Sequence, residues 1–587
     1  MPLLVDKTYI TEQIEKTSFY ADVGFIEETH PTMKNMQRLI LKNIRFCESK
    51  DSENYDSVNT VKMTCGTRML RGIQPLDAVK VVGSLLPLKG PVIPGSFDPK
   101  QYNSIMGIDA TGVVFYLRKL SSNTKHSNFT EIFSYLRFHL TKAISGRLHG
   151  EASGVVSALL TGDKSSISSE TRDKFIKSGT AHVLAISGLH MSIVTFIIFS
   201  IIKRLLMYVC CIIGRTIGFR AIAAFITIPF TFVYLALSGF SPSATRAFIM
   251  TSICMISIMI GRRAMSIRNI STAALLILVL DPGALFHVSF QLSFSAVLAL
   301  LAFYEKYNSL LPYRPSVSWK ILSYILSSMI MTTIATIATT PISVATFNRF
   351  SAQNLFGNLI AVPIVSFLIA PLGIANIVIC KFTNILIKPL QLSIDAMIRA
   401  MGVISSLPGS EIALKTPAQY IMWFIIIGGI LLCFLISKLR YIGGGFIGAG
   451  FFCYIFVQKS PYLIVVPNDD GIVCMIENGT VYANSNQKGR PKIYSIMRTL
   501  GLKEEPNGNN SKGNNSKGNN SKGNNIVKRD LISGLKLFTN QSIIRELKTK
   551  NFSNEEGFFL WRDGKVRHIK QRKHPYCPAF YYAKALE

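Results

Sequence analysis

His182, Ser187 and His190 are the side chains whose types and spacing first suggest chemistry. They stand, with Gly188 between them, in Thr180-Ala-His-Val-Leu-Ala-Ile-Ser-Gly-Leu-His-Met-Ser192, at or inside the start of an apolar run reaching Ile202. That run is long enough to cross a bilayer. Polar and ionisable groups are costly in hydrocarbon, so they mark a pathway or a helix–helix contact more often than idle lipid-facing surface. The expectation is a chain through which something passes a membrane.

The elements that must position these residues are apolar helices. The 587-residue chain is 49% hydrophobic and 16% charged, with a mean hydropathy of +0.33, far from the balance of a water-soluble domain. Apolar segments recur at 183–202, 221–237, 243–260, 270–303 (two passes, broken at Asp281-Pro282-Gly283), 321–345, 355–379, 385–407, 418–437 and 441–457. They predict a polytopic α-helical bundle of about ten spans over 181–457. Asp281-Pro282 reads as a turn. Lys203, Arg204, Arg215 and Arg220 follow the first span; Arg262, Arg263 and Arg268 follow the third; Lys306, Arg314 and Lys320 follow the fifth. The connections between, Ser238–Ser241 and Asp281–Gly283, carry no Lys or Arg, and Thr346–Asn354 carries only Arg349. The positive-inside rule makes the basic loops cytoplasmic and puts the regions before 180 and after 460 outside.

Residues 1–125 read as a small β domain. Alternating runs at 38–46, 78–86 and 110–118, separated by Gly/Pro-rich connections such as Pro87–Gly95, suit a five-stranded OB-type barrel. That fold often tracks single-stranded nucleic acid, although a fold alone assigns no function. Phe46, Tyr55, Phe97, Tyr102, Phe115 and Tyr116 are its candidate stacking aromatics and equally its candidate core. Residues 126–180 read as an amphipathic helical connector.

The tail, 458–587, reads as a small α+β domain. From 459 on it has 22 Lys/Arg against 11 Asp/Glu and ends near Lys565-Val-Arg-His-Ile-Lys-Gln-Arg-Lys573. Such charge attracts nucleic acid and anionic lipid alike. Within it, 508–525 repeats Gly-Asn-Asn-Ser-Lys, which has nothing apolar to bury and predicts a flexible insertion. Six of ten cysteines (210, 211, 254, 380, 433 and 453) fall in or beside spans as packing residues. Cys47–Cys65 and Cys474–Cys577 are possible disulfides in an oxidising compartment, and spacing does not decide between bonded and free.

Several segments, in order along the chain, resemble the ComEC family of competence proteins. They are Pro94-Gly-Ser-Phe-Asp98, Gly107-Ile-Asp-Ala-Thr-Gly112, Leu160-Thr-Gly-Asp163, Gly179–His190 with Ser-Gly-Leu-His at 187–190, Ser238-Gly-Phe-Ser-Pro-Ser-Ala-Thr-Arg-Ala247, Phe290-Gln-Leu-Ser293, Phe347-Asn-Arg-Phe350 and Asn358-Leu-Ile-Ala-Val-Pro363. The resemblance covers most of 20–460. It implies an inner-membrane channel carrying single-stranded DNA into the bacterial cytoplasm during natural transformation, without enzymatic activity or cofactor. Implied partners are single-stranded DNA, membrane lipid, a DNA receptor and a helicase, with a homo-oligomer as an open option. No Gly-x-x-x-x-Gly-Lys-Ser/Thr phosphate loop occurs in the chain to supply the driving force.

Residue by residue, the resemblance places His182, Ser187, Gly188, His190, Ser241, Pro242, Arg246, Gln291 and Asn358 in the family's membrane motifs. Arg246 then either snorkels to headgroups or meets a phosphate at a pore mouth. His190 pairs across helices, and Ser187-Gly188 permits a break or close helix approach. The channel reading further requires a polar-lined conduit beside His190, Arg246 and Asn358. Two features depart from the family pattern. The metallo-β-lactamase-like motif His-x-His-x-Asp-His is absent, and His568 and His574 lack zinc-like partners. Met1–Lys16 reads neither as a signal peptide nor as a span, which raises the expectation of a truncated frame. The alternatives are a permease for another solute and a non-transporting remnant or scaffold.

Overall fold

Alternation of inward apolar and outward polar residues closes a barrel near the start of the chain. The computed structural model describes residues 14–27, 36–47, 58–70, 72–73, 77–88, 90, 99–105, 107–122, 129–164, 166–213, 218–307, 317–379, 386–434 and 438–457, and five strands beyond 462. In β1 (Ile14–Glu27), Thr17, Phe19, Ala21 and Val23 are buried while Tyr20 faces out. β1 pairs antiparallel with β2 (Met36–Phe46), and β2 with β3 (Thr60–Gly66). β4 (Asp77–Leu86) returns to β1, and β5 (Ala110–Ser122) runs antiparallel to β4 and parallel to β3. The cylinder is closed in the order β1-β2-β3-β5-β4.

The barrel core holds Phe19, Leu39, Leu41, Met63 and Leu85, all fully buried. Each contributes about 1.5–3 kcal/mol relative to exposure. Asp109 locks the approach to β5, since its buried carboxylate accepts from the amides of Asn59 (3.0 Å) and Thr60 (2.9 Å). Of the candidate aromatics, Tyr102, Phe115 and Tyr116 are exposed, and Phe46 packs on the core. Tyr55, Phe97 and the Pro94–Asp98 segment lie outside the described residues. Cys47 and Cys65 are both free thiols. A short helix, α1 (Pro99–Ile105), joins β4 to β5.

The expected connector divides in two. α2 (Phe129–Ser145) has the anticipated half-exposed character, with Ile132, Tyr135 and Leu136 at the surface. α3 (Glu151–Leu160) instead buries eight of its ten residues. A helix surrounded on all sides keeps no polar face, so it is not amphipathic. α4 (Ser169–Lys177) begins at Ser168, whose hydroxyl accepts from the Thr171 amide at 3.1 Å. Val155, Leu159 and Phe175 of α3 and α4 share one core with Ile394, Met397 and Met401. That core therefore crosses the boundary expected at 180.

The membrane helices follow: α5 (Gly188–Ile213), α6 (Phe219–Leu237), α7 (Pro242–Met259), α8 (Ile267–Leu280), α9 (Val288–Tyr307) and α10 (Val317–Phe347). After them come α11 (Asn354–Pro363), a π-helical turn (Ile364–Ile369) and α12 (Ala370–Ile379), which together make one run. Among the described residues six stretches, rather than about ten, are long and apolar enough to span: Gly188–Ile212, Phe219–Leu237, Pro242–Met259, Val288–Glu305, Leu322–Phe347 and Asn354–Asn376. Phe196, Phe225, Ile337 and Phe367 are exposed on them, which suits a surface that lipid covers. The Asp281 carboxylate accepts from the Gly283 amide at 3.0 Å, closing the expected turn before α9.

The run at 385–407 is the clearest difference from the sequence reading. It forms α13 (Ile387–Ser405), which buries Leu390, Ile394, Met397, Ile398, Met401 and Ile404 and leaves Lys388 and Arg399 outward. Its apolar stripe fits against α3 and α4, so it is an amphipathic packing helix. A mean over the window hides that stripe.

A second unit contains α14 (Gln419–Phe434) and α15 (Arg440–Phe452), apolar helices of 16 and 13 residues. They press together where a Cβ on Gly428 would lie 2.6 Å from the Gly443 carbonyl oxygen. The short strands β6 (Arg349–Phe350) and β7 (Ile412–Ala413) pair within the same unit. Beyond 457, β8 (Leu463–Val466), β9 (Ile472–Glu477), β10 (Thr480–Asn484), β11 (Glu556–Leu560) and β12 (Val566–Lys570) form an antiparallel sheet in the order β10-β9-β8-β11-β12. The repeat 508–525 and Cys577 lie outside the described residues.

Candidate functional site

Between α4 and α5 the chain forms a strap, residues 178–187, that is mostly not helical. Gly179 takes φ +75°, and a single 3-10 turn, Ala181–Leu184, precedes extended backbone at Ala185. The strap is held from within, because the hydroxyls of Ser178 and Thr180 lie 2.7 Å apart and the Thr180 amide donates to Phe175 O at 2.9 Å. Both hydroxyl residues are wholly buried. At its start, the Ser351 hydroxyl donates to the Lys177 carbonyl at 2.7 Å. Non-helical backbone at 185–187 separates the 3-10 turn from α5.

Two glycines let the strap meet α11, but they are not Gly188. A Cβ on Gly179 would sit 2.7 Å from Asn354 Cβ, and one on Gly357 would collide with the Ser178 carbonyl oxygen. A Cβ on Gly188 meets nothing within 4 Å. Gly188 is simply the first residue of α5, so the close approach expected there belongs to Gly179 and Gly357.

Ser187 and His190 form a helix cap. His190 Nδ1 accepts from the Ser187 amide at 3.3 Å and lies 3.0 Å from Ser187 Oγ. A third-position side chain reaching back to the cap amide is the geometry of a capping box, with imidazole in the usual place of glutamate. Accepting at Nδ1 assigns the proton to Nε2, which is buried with no partner. His190 is 3% exposed, and the small cavity beside it is lined by apolar side chains such as Leu159, Val194, Val365 and Ile369, together with Tyr234. The expected cross-helix hydrogen bond is thus replaced by one inside the first turn of α5. His182 lies exposed on the strap's 3-10 turn.

Ser241 and Pro242 start α7 as cap and first residue, with Ser241 Oγ accepting from the Ala244 amide at 3.4 Å. The next serine makes the tertiary contact: Ser243 Oγ donates to the Ile186 carbonyl of the strap at 2.9 Å. Arg246 is 5% exposed, and its Nη2 donates to the Ser289 carbonyl in the first turn of α9 at 2.9 Å. It neither snorkels nor faces an open mouth, because α7 turns that side chain toward α9. Its Nε is buried without a partner.

Gln291 stays local, donating to Leu285 O at 3.0 Å. Asn358 Nδ2 donates to Asn354 Oδ1 at 2.8 Å, and Asn354 Nδ2 donates to Thr336 Oγ1 at 2.8 Å, a polar chain from α11 to α10. Asn358 is half-buried, and its Oδ1 has no partner.

These contacts gather the beginnings of α5, α7 and α11 around the strap, and Arg246 ties the beginning of α9 to α7. Each helix start carries a partial positive charge of roughly half an elementary charge. The side chains expected to line a wet conduit are instead pins: His190 and Arg246 sit in packed protein. Ser178, Thr180, Ser243 and Asn354 carry contacts as informative as those of the expected residues. Among the described residues no three His, Cys, Asp or Glu side chains gather as metal ligands would.

Residues 159–439 match a family model described as Competence protein. The chain is 25% identical over 467 residues to ComE operon protein 3 of Bacillus subtilis, covering 78% of this chain and 56% of that one. Recombination protein 2 of Haemophilus influenzae is 28% identical over 328 residues, 54% of this chain and 38% of the relative. An uncharacterised Escherichia coli protein is 26% identical over 235 residues, 38% and 29% of the two chains. The chain thus spans about half, or less, of the length of these relatives. No solved structure matches it.

Proposed function

We propose, from the premise that this chain belongs through residues 159–439 to the ComEC family of competence proteins, that it conducts single-stranded DNA across the bacterial inner membrane. It is a membrane protein with several apolar spans, and competence is the family's theme. The observation that carries the finer reading is the gathering of the beginnings of α5, α7 and α11 on one strap, with that of α9 tied to α7 through Arg246. That end of the bundle presents positive dipole ends to an arriving polyanion. The connections there, 238–241 and 281–283, lack Lys and Arg, whereas Lys203, Arg204, Arg262 and Arg263 lie toward the other ends. By charge bias the strap faces outward, where DNA arrives, and the basic ends face the cytoplasm.

The path does not run beside His190 and Arg246, which are sealed. Ala181 and His182 are the strap's exposed residues, and the DNA passes along that surface. The chain takes no catalytic step in this reading; a receptor outside and a motor inside supply capture and force. One observation favours the rival permease reading: the span Asn354–Asn376 is interrupted by a π-helical turn, and irregular helices often hold small ligands at mid-membrane. Deleting the gene and following labelled DNA separates the two. Loss of cytoplasmic signal supports conduction of DNA, and a normal signal excludes it.

A further inference from the structure

The outer face of the barrel carries a row of like charges that no acidic side chain among the described residues neutralises. Strand register sets Tyr20 of β1 opposite Arg45 of β2 on one side and Lys80 of β4 on the other, and Lys80 opposite Arg118 of β5. The four residues therefore lie in one line across four strands. Arg45, Tyr20 and Arg118 are exposed, and Lys80 Nζ sits 5.6 Å from the centre of the Tyr20 ring. In the next line, Tyr116 of β5 stands opposite Val82 and is 55% exposed.

Like charges directly opposite one another on adjacent strands are destabilising, as Lys80 and Arg118 are here. Among the described residues no ion pair reaches Arg45, Lys80 or Arg118; the salt bridge nearby joins Lys119 to Asp77 instead. Asp22, the acidic residue of the line beyond, is engaged by Asn43 Nδ2 at 3.0 Å and faces Lys42. An exposed aromatic pair beside three cations is therefore an unfinished surface. It has the composition of a strip that stacks bases and follows a phosphate backbone.

We propose that the row Arg45–Tyr20–Lys80–Arg118, with Tyr116 beside it, is a docking surface for single-stranded nucleic acid. The proposal rests on the DNA-conducting reading for its biological sense and adds the face and residues of first contact. Charge complementarity selects a polyanion, and the exposed tyrosines select unpaired bases over a lipid headgroup. Strand spacing of about 4.8 Å places neighbouring cations within reach of successive phosphates.

The test uses the full-length protein in phosphatidylcholine nanodiscs, titrated with a fluorescent oligothymidylate of about 16 nucleotides over a range of salt. The triple variant Arg45→Gln, Lys80→Gln, Arg118→Gln should flatten the slope of log affinity against log salt by about 2, at 0.7 per lost phosphate contact. Tyr20→Ala should weaken binding at least about fivefold while Tyr20→Phe retains it. The triple variant should unfold no earlier than wild type, since the row repels itself. An unchanged slope and affinity in the triple variant overturns the proposal. So does intact oligonucleotide binding accompanied by lost co-flotation with phosphatidylglycerol vesicles, which assigns the row to lipid. Uptake in the deletion strain is a separate readout: uptake lost on deletion, with row variants binding as wild type, removes the row and leaves the transport reading standing.

Discussion

Arg246→Met separates a structural pin from a functional one. Among the described residues Arg246 makes one hydrogen bond, from Nη2 to Ser289 O, while Nε is buried without a partner. A hydrogen bond involving a charged group contributes about 1.5–3 kcal/mol. Against that stand about 1–3 kcal/mol for the orphaned N–H and a burial cost of several kcal/mol for a guanidinium lacking a carboxylate. The two sides roughly cancel or favour replacement. Methionine fills similar volume and adapts to the gap, so the variant should unfold within about 1 kcal/mol of wild type or later. If the guanidinium serves transport, transformation nonetheless falls at least about tenfold, the effect of ~1.4 kcal/mol on one step. Arg246→Lys, which keeps charge and loses the planar fork, should restore only part of it. The assays are thermal unfolding of purified protein and transformation frequency. A variant destabilised by more than about 3 kcal/mol, whose folded fraction takes up DNA normally, refutes the reasoning.

Three further outcomes follow from the same geometry. Gly357→Ala drives a Cβ into the Ser178 carbonyl and should cost about 1–3 kcal/mol, whereas Gly188→Ala, with open space around it, should leave the unfolding midpoint unchanged or slightly raised. Asp109→Ala removes the acceptor for two amides and should lower barrel stability by roughly 3 kcal/mol, read as faster hydrogen exchange in β3 and β5. Burial pushes the Cys65 thiol up to about 11, so at pH 8 maleimide should modify exposed Cys47 and spare Cys65. The stability tied to the protonated Cys65 thiol is present below the ordinary thiol range and falls as pH rises through about 11.

Much of the architecture was legible in the residues. Period-two alternation around Leu39, Val81 and Val114 foretold strands, and apolar runs foretold helices. Hydropathy alone misread 387–405, because a run of apolar residues does not reveal that they form a buried stripe with Lys388 and Arg399 turned outward. α3 was misread in the opposite sense: its Ser, Gly and Ala residues look neutral until neighbours bury every side. At the site, His190 and Arg246 were visible as costly residues, but not their partners. A bond to a backbone carbonyl such as Ser289 O or Ile186 O leaves no side-chain signature at the acceptor. Gly188 drew attention through its motif, whereas Gly179 and Gly357 act through a contact about 180 residues apart along the chain. The barrel's charged row was equally hidden, since Arg45, Tyr20, Lys80 and Arg118 become neighbours only through strand register.

The most direct test of conduction past the strap is photo-crosslinking during uptake. A benzophenone amino acid at Ala181 or His182, both exposed, is illuminated while labelled transforming DNA is internalised, with buried Val183 as control. Covalent DNA adducts at 181 and 182, and none at 183, are the predicted result. Adduct-free protein in cells that accumulate labelled strand in the cytoplasm at the normal rate contradicts the account.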